Sequence, residues 1–226
     1  MFLTLLSHAP ALSIAWLAAI LAALTFHEFS HALVATWRGD RTAERAGRLS
    51  LNPLSHIDPL GFIPLLLFGF GWAKPVPYNP YNLANPKWDS VAIGLAGPIS
   101  NLFLAAVGAF FLRLLLLSET LPPDNLLVAF LFLLVLINLF LLFFNLIPVH
   151  PLDGSKLFFA LFDAPRWAEL RAFVANRGPQ ILFAFVLLSF VGFDVFHFLS
   201  APAFGTCSAL LGRSCSGFYG WLFSGI

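Results

Sequence analysis

Apolar residues in this chain are gathered into long runs separated by short polar stretches. A bilayer core about 30 Å thick takes about 20 apolar residues in helical form. By that measure residues 10–37, 90–117, 125–147 and 179–199 predict four membrane-spanning helices. The run 59–73 has 15 residues with Gly and Pro inside it, which is short for a span and predicts a re-entrant or interfacial piece. The glycine-containing apolar tail 201–226 fits either a fifth span or an interfacial segment. Leu49 and Leu51 alternate with Arg48 and Ser50 before prolines break the pattern, which predicts a short strand. Residues 74–88 read as a Pro/Asn-rich loop whose Tyr and Trp suit the membrane interface. The expected fold class is therefore all-α and multi-pass: a helical membrane bundle with a short β-hairpin or re-entrant segment.

The polar positions orient these runs. Arg38, Arg41, Arg45 and Arg48 follow the first run, and Lys156, Arg166, Arg171 and Arg177 follow the third. Cytoplasmic loops collect Lys and Arg, so both loops are expected in the cytoplasm and the N-terminus outside. The parity holds only if 59–73 re-enters rather than spans. Residues 1–26 contain no Asp, Glu, Lys or Arg, so the charged region of a signal peptide is missing and the first helix is read as retained.

Composition agrees with a membrane chain. Hydrophobic residues make up 59% of the 226 positions and charged residues 10%, against about 25% charged in a soluble domain. The 27 Phe suit a lipid-facing surface. A net charge of +1 gives no basis for a nucleic-acid partner. Cys207 and Cys215 are too few and poorly spaced for a zinc knuckle. Free thiols and a local disulfide remain equal alternatives, the second requiring an oxidising compartment.

Within the first apolar run stands His27-Glu28-Phe29-Ser30-His31. Residues i and i+4 share a helix face, so both imidazoles can meet one zinc ion with Glu28 beside it as general base. An ionisable side chain deep in a bilayer costs on the order of 3 kcal/mol on insertion scales, so three together need a shared task. A hydrolytic zinc takes three protein ligands and leaves one position open. Asp153 is the leading third ligand. It follows the third run where Pro148 and Pro151 break the helix and Gly154 lets the chain turn, on the same side as the end of the first span. His150, three residues away, competes for the role.

At this point the chain resembles the site-2 protease family, peptidases with a membrane-embedded zinc site, over about residues 20–160. The family's HExxH stands at His27–His31, and its distal Asn-x-x-Pro-x-x-Pro-Leu-Asp-Gly element runs in full from Asn145 to Gly154. Gly47 to Pro53, His56-Ile57-Asp58-Pro59, Gly71 to Val76 and Gly97-Pro98-Ile99-Ser100-Asn101 also look like bacterial members. The resemblance implies one Zn2+ per chain on His27, His31 and Asp153, with Glu28 as catalytic base. It implies that Asn145, His56 and Asn101 bind substrate or the oxyanion, or line the site. It implies a metalloprotease that cuts transmembrane proteins within or near the bilayer. Residues 1–160 are expected to form the catalytic membrane core and 161–226 C-terminal membrane helices, without the PDZ or regulatory domain that some members carry. The site is expected to open to the cytoplasm. Two rivals stand beside this reading. One is a membrane HExxH enzyme with a glutamate ligand on a later helix, which the later apolar spans do not supply. The other is a zinc transporter or inactive scaffold, which would have no need of Glu28.

Overall fold

A computed structural model describes residues 2–122 and 124–224. The helices are α1 (Phe2–His8), α2 (Pro10–Trp37), α3 (Thr42–Arg45), α4 (Pro59–Phe68), α5 (Pro86–Ser118), α6 (Leu126–Asn145), α7 (Gly154–Leu161), α8 (Ala168–Phe190), α9 (His197–Leu211) and α10 (Cys215–Leu222). Four segments are long and apolar enough to cross a membrane: Pro10–Trp37, Pro86–Ser118, Leu126–Asn145 and Pro165–Ser189. This is the build of a multi-pass membrane protein.

Local chemistry sets the helix ends. Proline occupies the first turn of α2, α4 and α5, where a missing N–H costs no hydrogen bond. The Asp58 and Asn125 side chains accept from Leu60 N and Leu127 N at 3.0 and 2.9 Å, capping α4 and α6. Gly69, at φ 77°, stops α4 in a left-handed cap. Past α2, the fully buried Asp40 accepts from Thr42 N, Asn79 N and Asn82 Nδ2 at 3.1, 2.6 and 2.8 Å, tying this loop to the segment before α5. Burial opposes ionisation of Asp40, but the Thr42 and Asn82 side chains and two backbone N–H groups hold its carboxyl below the usual range.

Helices α2, α5 and α6 pack on one another as the centre of the bundle. Small residues let them approach: Ala19 and Ala23 on α2 and Ala105 and Ala109 on α5 are almost fully buried. One apolar cluster joins α5 and α6 to the C-terminal helices through Leu112, Phe132, Leu139, Ala203 and Leu211. Cys207 and Cys215 form a disulfide inside it, linking α9 to the start of α10, so the sequence's open alternative resolves to a bond. A second cluster joins α1, α2, α4 and α6 around Trp16. Helix α8 leaves Phe173, Phe183, Phe185 and Leu187 exposed, a surface suited to lipid.

Two expectations change. Among the described residues there is no strand, so the short strand expected around Leu49 and Leu51, and any β-hairpin built on it, is absent. Arg48 turns inward and donates to Lys74 O and Pro75 O at 2.5 and 2.8 Å, taking with its side chain the carbonyls that a pairing strand would use. Pro75 and Pro77 offer no N–H to a ladder, and only Lys74 N reaches back, to His56 O at 2.8 Å. Asn52 instead caps a single 3-10 turn, Pro53–Ser55. The fourth span also begins earlier than residue 179. Pro179 lies inside α8, as prolines do in membrane helices, and the helix ends before Gly192, at φ 98°.

Candidate metal centre

The His27–His31 stretch lies in the last third of α2, where the helix faces α5. Its two imidazoles are buried, and each is fixed from behind. His31 Nδ1 donates to the Ile93 carbonyl of α5 at 2.6 Å. His27 Nδ1 donates to Asn101 Oδ1 at 2.6 Å. Asn101 is itself oriented, because its Nδ2 donates to Asn138 Oδ1 on α6 at 2.7 Å, and Asn138 donates to Leu134 O at 2.7 Å. With Nδ1 carrying the hydrogen, each ring turns an Nε2 lone pair inward. This backing of metal-ligating histidines by a carbonyl or amide sets tautomer and ring plane.

Asp153 completes the triangle. Its Oδ2 lies 3.1 Å from His27 Nε2 and 3.3 Å from His31 Nε2, and the two Nε2 atoms are 3.0 Å apart. Three acceptors cannot satisfy one another, but a cation among them can. Ligands about 2.1 Å from a tetrahedral ion lie about 3.4 Å from each other, close to these separations. Among the described residues this is the group of His, Cys, Asp or Glu side chains that could hold a metal ion, and two nitrogens with one carboxylate suit zinc.

The backbone makes room for this cluster. A Cβ on Gly97 would lie 2.5 Å from His27 Cε1 and His31 Nε2, and one on Gly94 would lie 3.2 Å from Asp153 O. Any other residue at Gly97 would push the imidazoles apart. Asp153 reaches the site from the broken chain between α6 and α7, where the His150–Pro151 peptide is cis. A cavity of about 280 Å³ opens over the three ligands, with Glu28, Asn145 and Lys156 among its polar lining.

The predicted residues therefore fall into two groups. His27, His31, Asp153, Glu28 and Asn145 come together on one cavity. Asn145 Nδ2 gives one hydrogen to Leu141 O at 3.0 Å and keeps a second. Asn101 and His56 stand behind. Asn101 is fully buried against His27. His56, 2% exposed, donates from Nε2 to Ser50 O at 2.7 Å and accepts at Nδ1 from Arg48 Nη2 at 3.2 Å. His150 is absent from the ligand cluster, and its backbone packs against Gly178 of α8. Sequence reasoning did not single out Asn138 or Arg48 as site residues. Arg48 is 4% exposed, and its Nη2 lies 3.9 Å from Glu28 Oε2. The sequence put Arg48 in the basic loop, in the expected strand and in a motif of the resemblance, but none of these pointed to the Glu28 carboxylate.

Comparison with known proteins agrees with this geometry. The family model described as "Peptidase family M50" matches residues 119–189, which include Asn145 and Asp153. Over 145 residues the chain is 43% identical to "Putative zinc metalloprotease YwhC" of Bacillus subtilis, covering 61% of this chain and 64% of that protein. By these matches the chain is similar to peptidase family M50. Two further relatives also match. "Putative zinc metalloprotease MJ0611" of Methanocaldococcus jannaschii is 35% identical over 132 residues, 58% of this chain and 62% of that one. "Putative zinc metalloprotease Rip2" of Mycolicibacterium smegmatis is 38% identical over 94 residues, 38% of this chain and 35% of that one. The chain thus spans less than two thirds of the length of each of these relatives. No solved structure gives a significant match.

Proposed function

We propose that this chain is an intramembrane zinc metalloprotease that hydrolyses peptide bonds of transmembrane proteins. The observation that carries the reading is the convergence of His27 Nε2, His31 Nε2 and Asp153 Oδ2 on a cavity that Glu28 also lines. When bound there, zinc supplies Lewis-acid polarisation and a more acidic water. The names of the relatives support zinc and proteolysis.

The chain's own residues supply the rest. Glu28 accepts a proton from the attacking water as its oxygen bonds to the peptide carbon. It then delivers that proton to the nitrogen as the C–N bond breaks, leaving a carboxylic acid and an amine. Asn145, with one Nδ2 hydrogen uncommitted, donates to the carbonyl oxygen as charge builds there. Arg48, fixed by two backbone carbonyls and His56, holds a positive charge near the Glu28 carboxylate and keeps it in place. The Arg38–Arg41–Arg45 loop after the first span supports a cavity mouth facing the cytoplasm by the positive-inside rule, while Arg171 and Arg177 lie within α8.

The test compares wild type with Glu28→Gln on a single-span model substrate, with the metal content of both determined. The expected result is about one zinc per chain in both proteins, and cleavage lowered about 10³-fold in the variant. Zinc in both with no cleavage by wild type would move the reading to a transporter or scaffold. Absence of metal from both would remove the ligand assignment.

A further inference from the structure

A second cavity, of about 350 Å³, adjoins the one over the metal ligands. The two share Leu24, Gly71, Leu141 and Phe144 as walls. Their chemistry differs sharply. The first presents Glu28, Asn145, Asp153 and Lys156. The second is lined by aliphatic and aromatic side chains, with the Tyr219 hydroxyl and the Trp16 indole N–H as their polar groups. Along α2 it reaches from Leu24 back to Trp16, and along α6 from Phe144 back to Leu133. At 1.5 Å per residue these stretches run about 12–17 Å, through the middle of α6 and from the middle of α2 toward its N-terminal end. The cavity therefore leads from the polar end of the bundle, where the ligands lie, into its apolar interior.

Its outer wall is made by Phe196, Leu199, Tyr219 and Phe223, all beyond residue 189, where the family-model match ends. Phe144 stands between the cavities, its ring against Phe70 at 6.1 Å and Phe196 at 5.7 Å. It immediately precedes Asn145, so whatever fills the apolar cavity touches the residue next to the proposed oxyanion donor.

We propose that this cavity is a substrate subsite, taking a large apolar side chain of the transmembrane substrate next to the bond that is cut. The proposal rests on the protease reading above. A peptide that reaches the ligands from within the membrane keeps apolar residues on its membrane side, and the adjoining cavity receives one of them. An extended chain offers alternate side chains to pockets along its path. The volume lies within the range of ordinary ligand sites. The subsite's outer wall comes from the C-terminal helices, so they set which side chain is accepted.

The experiment has two arms. In the first, the cleavage point of a single-span model substrate is mapped by mass spectrometry. Each flanking position is then replaced in turn by Leu, Ala and Asp. At one position kcat/KM should be about 10- to 100-fold higher for Leu than for Ala, with Asp abolishing cleavage. Ile137→Trp, which fills the cavity, should remove that Leu-over-Ala preference while the metal content stays at the wild-type level. In the second arm, Glu28→Gln is given the same substrate carrying a benzophenone side chain at that position, and labelling is expected on Phe196, Tyr219 or Phe223. Absence of any size preference, or an unchanged preference in Ile137→Trp, overturns the proposal. So does labelling of the cavity by a photoreactive acyl-chain phospholipid but not by the substrate probe, which would make it a lipid site. If wild type binds metal but cuts nothing, the protease reading falls; the benzophenone is then placed in turn at each position of the substrate's span, and labelling of Phe196, Tyr219 or Phe223 from none of them overturns the subsite as well.

Discussion

Around His27 the bundle buries polar groups, and around Cys207 it buries apolar ones and a disulfide. In the first region His27, Asn101 and Asn138 are linked in series across α2, α5 and α6, each fixing the next. In the second, Phe132, Leu139, Ala203 and Leu211 pack with no direction beyond shape. The two regions share α5 and α6 and are buried to similar depth. They differ in how they should fail. Removing one member of a hydrogen-bonded series leaves its partner unsatisfied, at about 1–3 kcal/mol, and also turns the group beyond it. Removing an apolar contact costs in proportion to the volume lost and misdirects nothing.

Breaking the polar region at its centre should have the largest effect. His31→Ala removes a ligand and the anchor on Ile93 O together, so metal content should drop from about one per chain to a tenth or less, measurable by elemental analysis. A step outward, Asn101→Leu should weaken metal affinity about 10- to 100-fold and lower stability, because Asn138 loses its partner. The double variant Asn101→Leu with Asn138→Leu should recover stability without recovering affinity. If it recovered both, the series would be packing and not orientation. A further step out, Arg48→Met should reduce cleavage about tenfold with metal content unchanged. Arg48→Lys should restore little, since a lysine cannot reach two carbonyls and His56 at once.

What could be read from the sequence follows from the range of each interaction. His27 and His31 are legible because four residues bring a helix back to the same face. Asp153 is legible because Pro148, Pro151 and Gly154 announce a broken helix that can present a side chain. Asn101 was picked out from its motif, but its task was not legible. The contact with His27 spans 74 residues and that with Asn138 spans 37, and neither follows from periodicity. Alternation around Leu49 and Leu51 predicted a strand because the rule counts side-chain polarity. It could not foresee that the Arg48 side chain would take the backbone acceptors of residues 74 and 75. The first three spans fell close to their predicted limits, since about 20 apolar residues leave little freedom. The fourth moved because Pro179 reads as a boundary in a soluble helix and is tolerated inside a membrane one.

The apolar region gives the smallest effect and the cleanest contrast. Cys207 and Cys215 close a short loop between α9 and α10, and restricting a loop of that length in the unfolded chain stabilises by about 2.5 kcal/mol on the chain-entropy model. Replacing both by alanine should lower the thermal midpoint by several degrees while leaving metal content where it is. The two groups are built from different residues: the disulfide's cluster runs through Leu112, Phe132 and Leu139, whereas the His27 series turns on Asn101 and Asn138. A loss of metal in the double alanine variant would mean that the packing of α9 and α10 on α6 holds Asn138 in register. The two regions would then be one mechanical unit, and the separation drawn between directional and volumetric burial would fail at the helix they share.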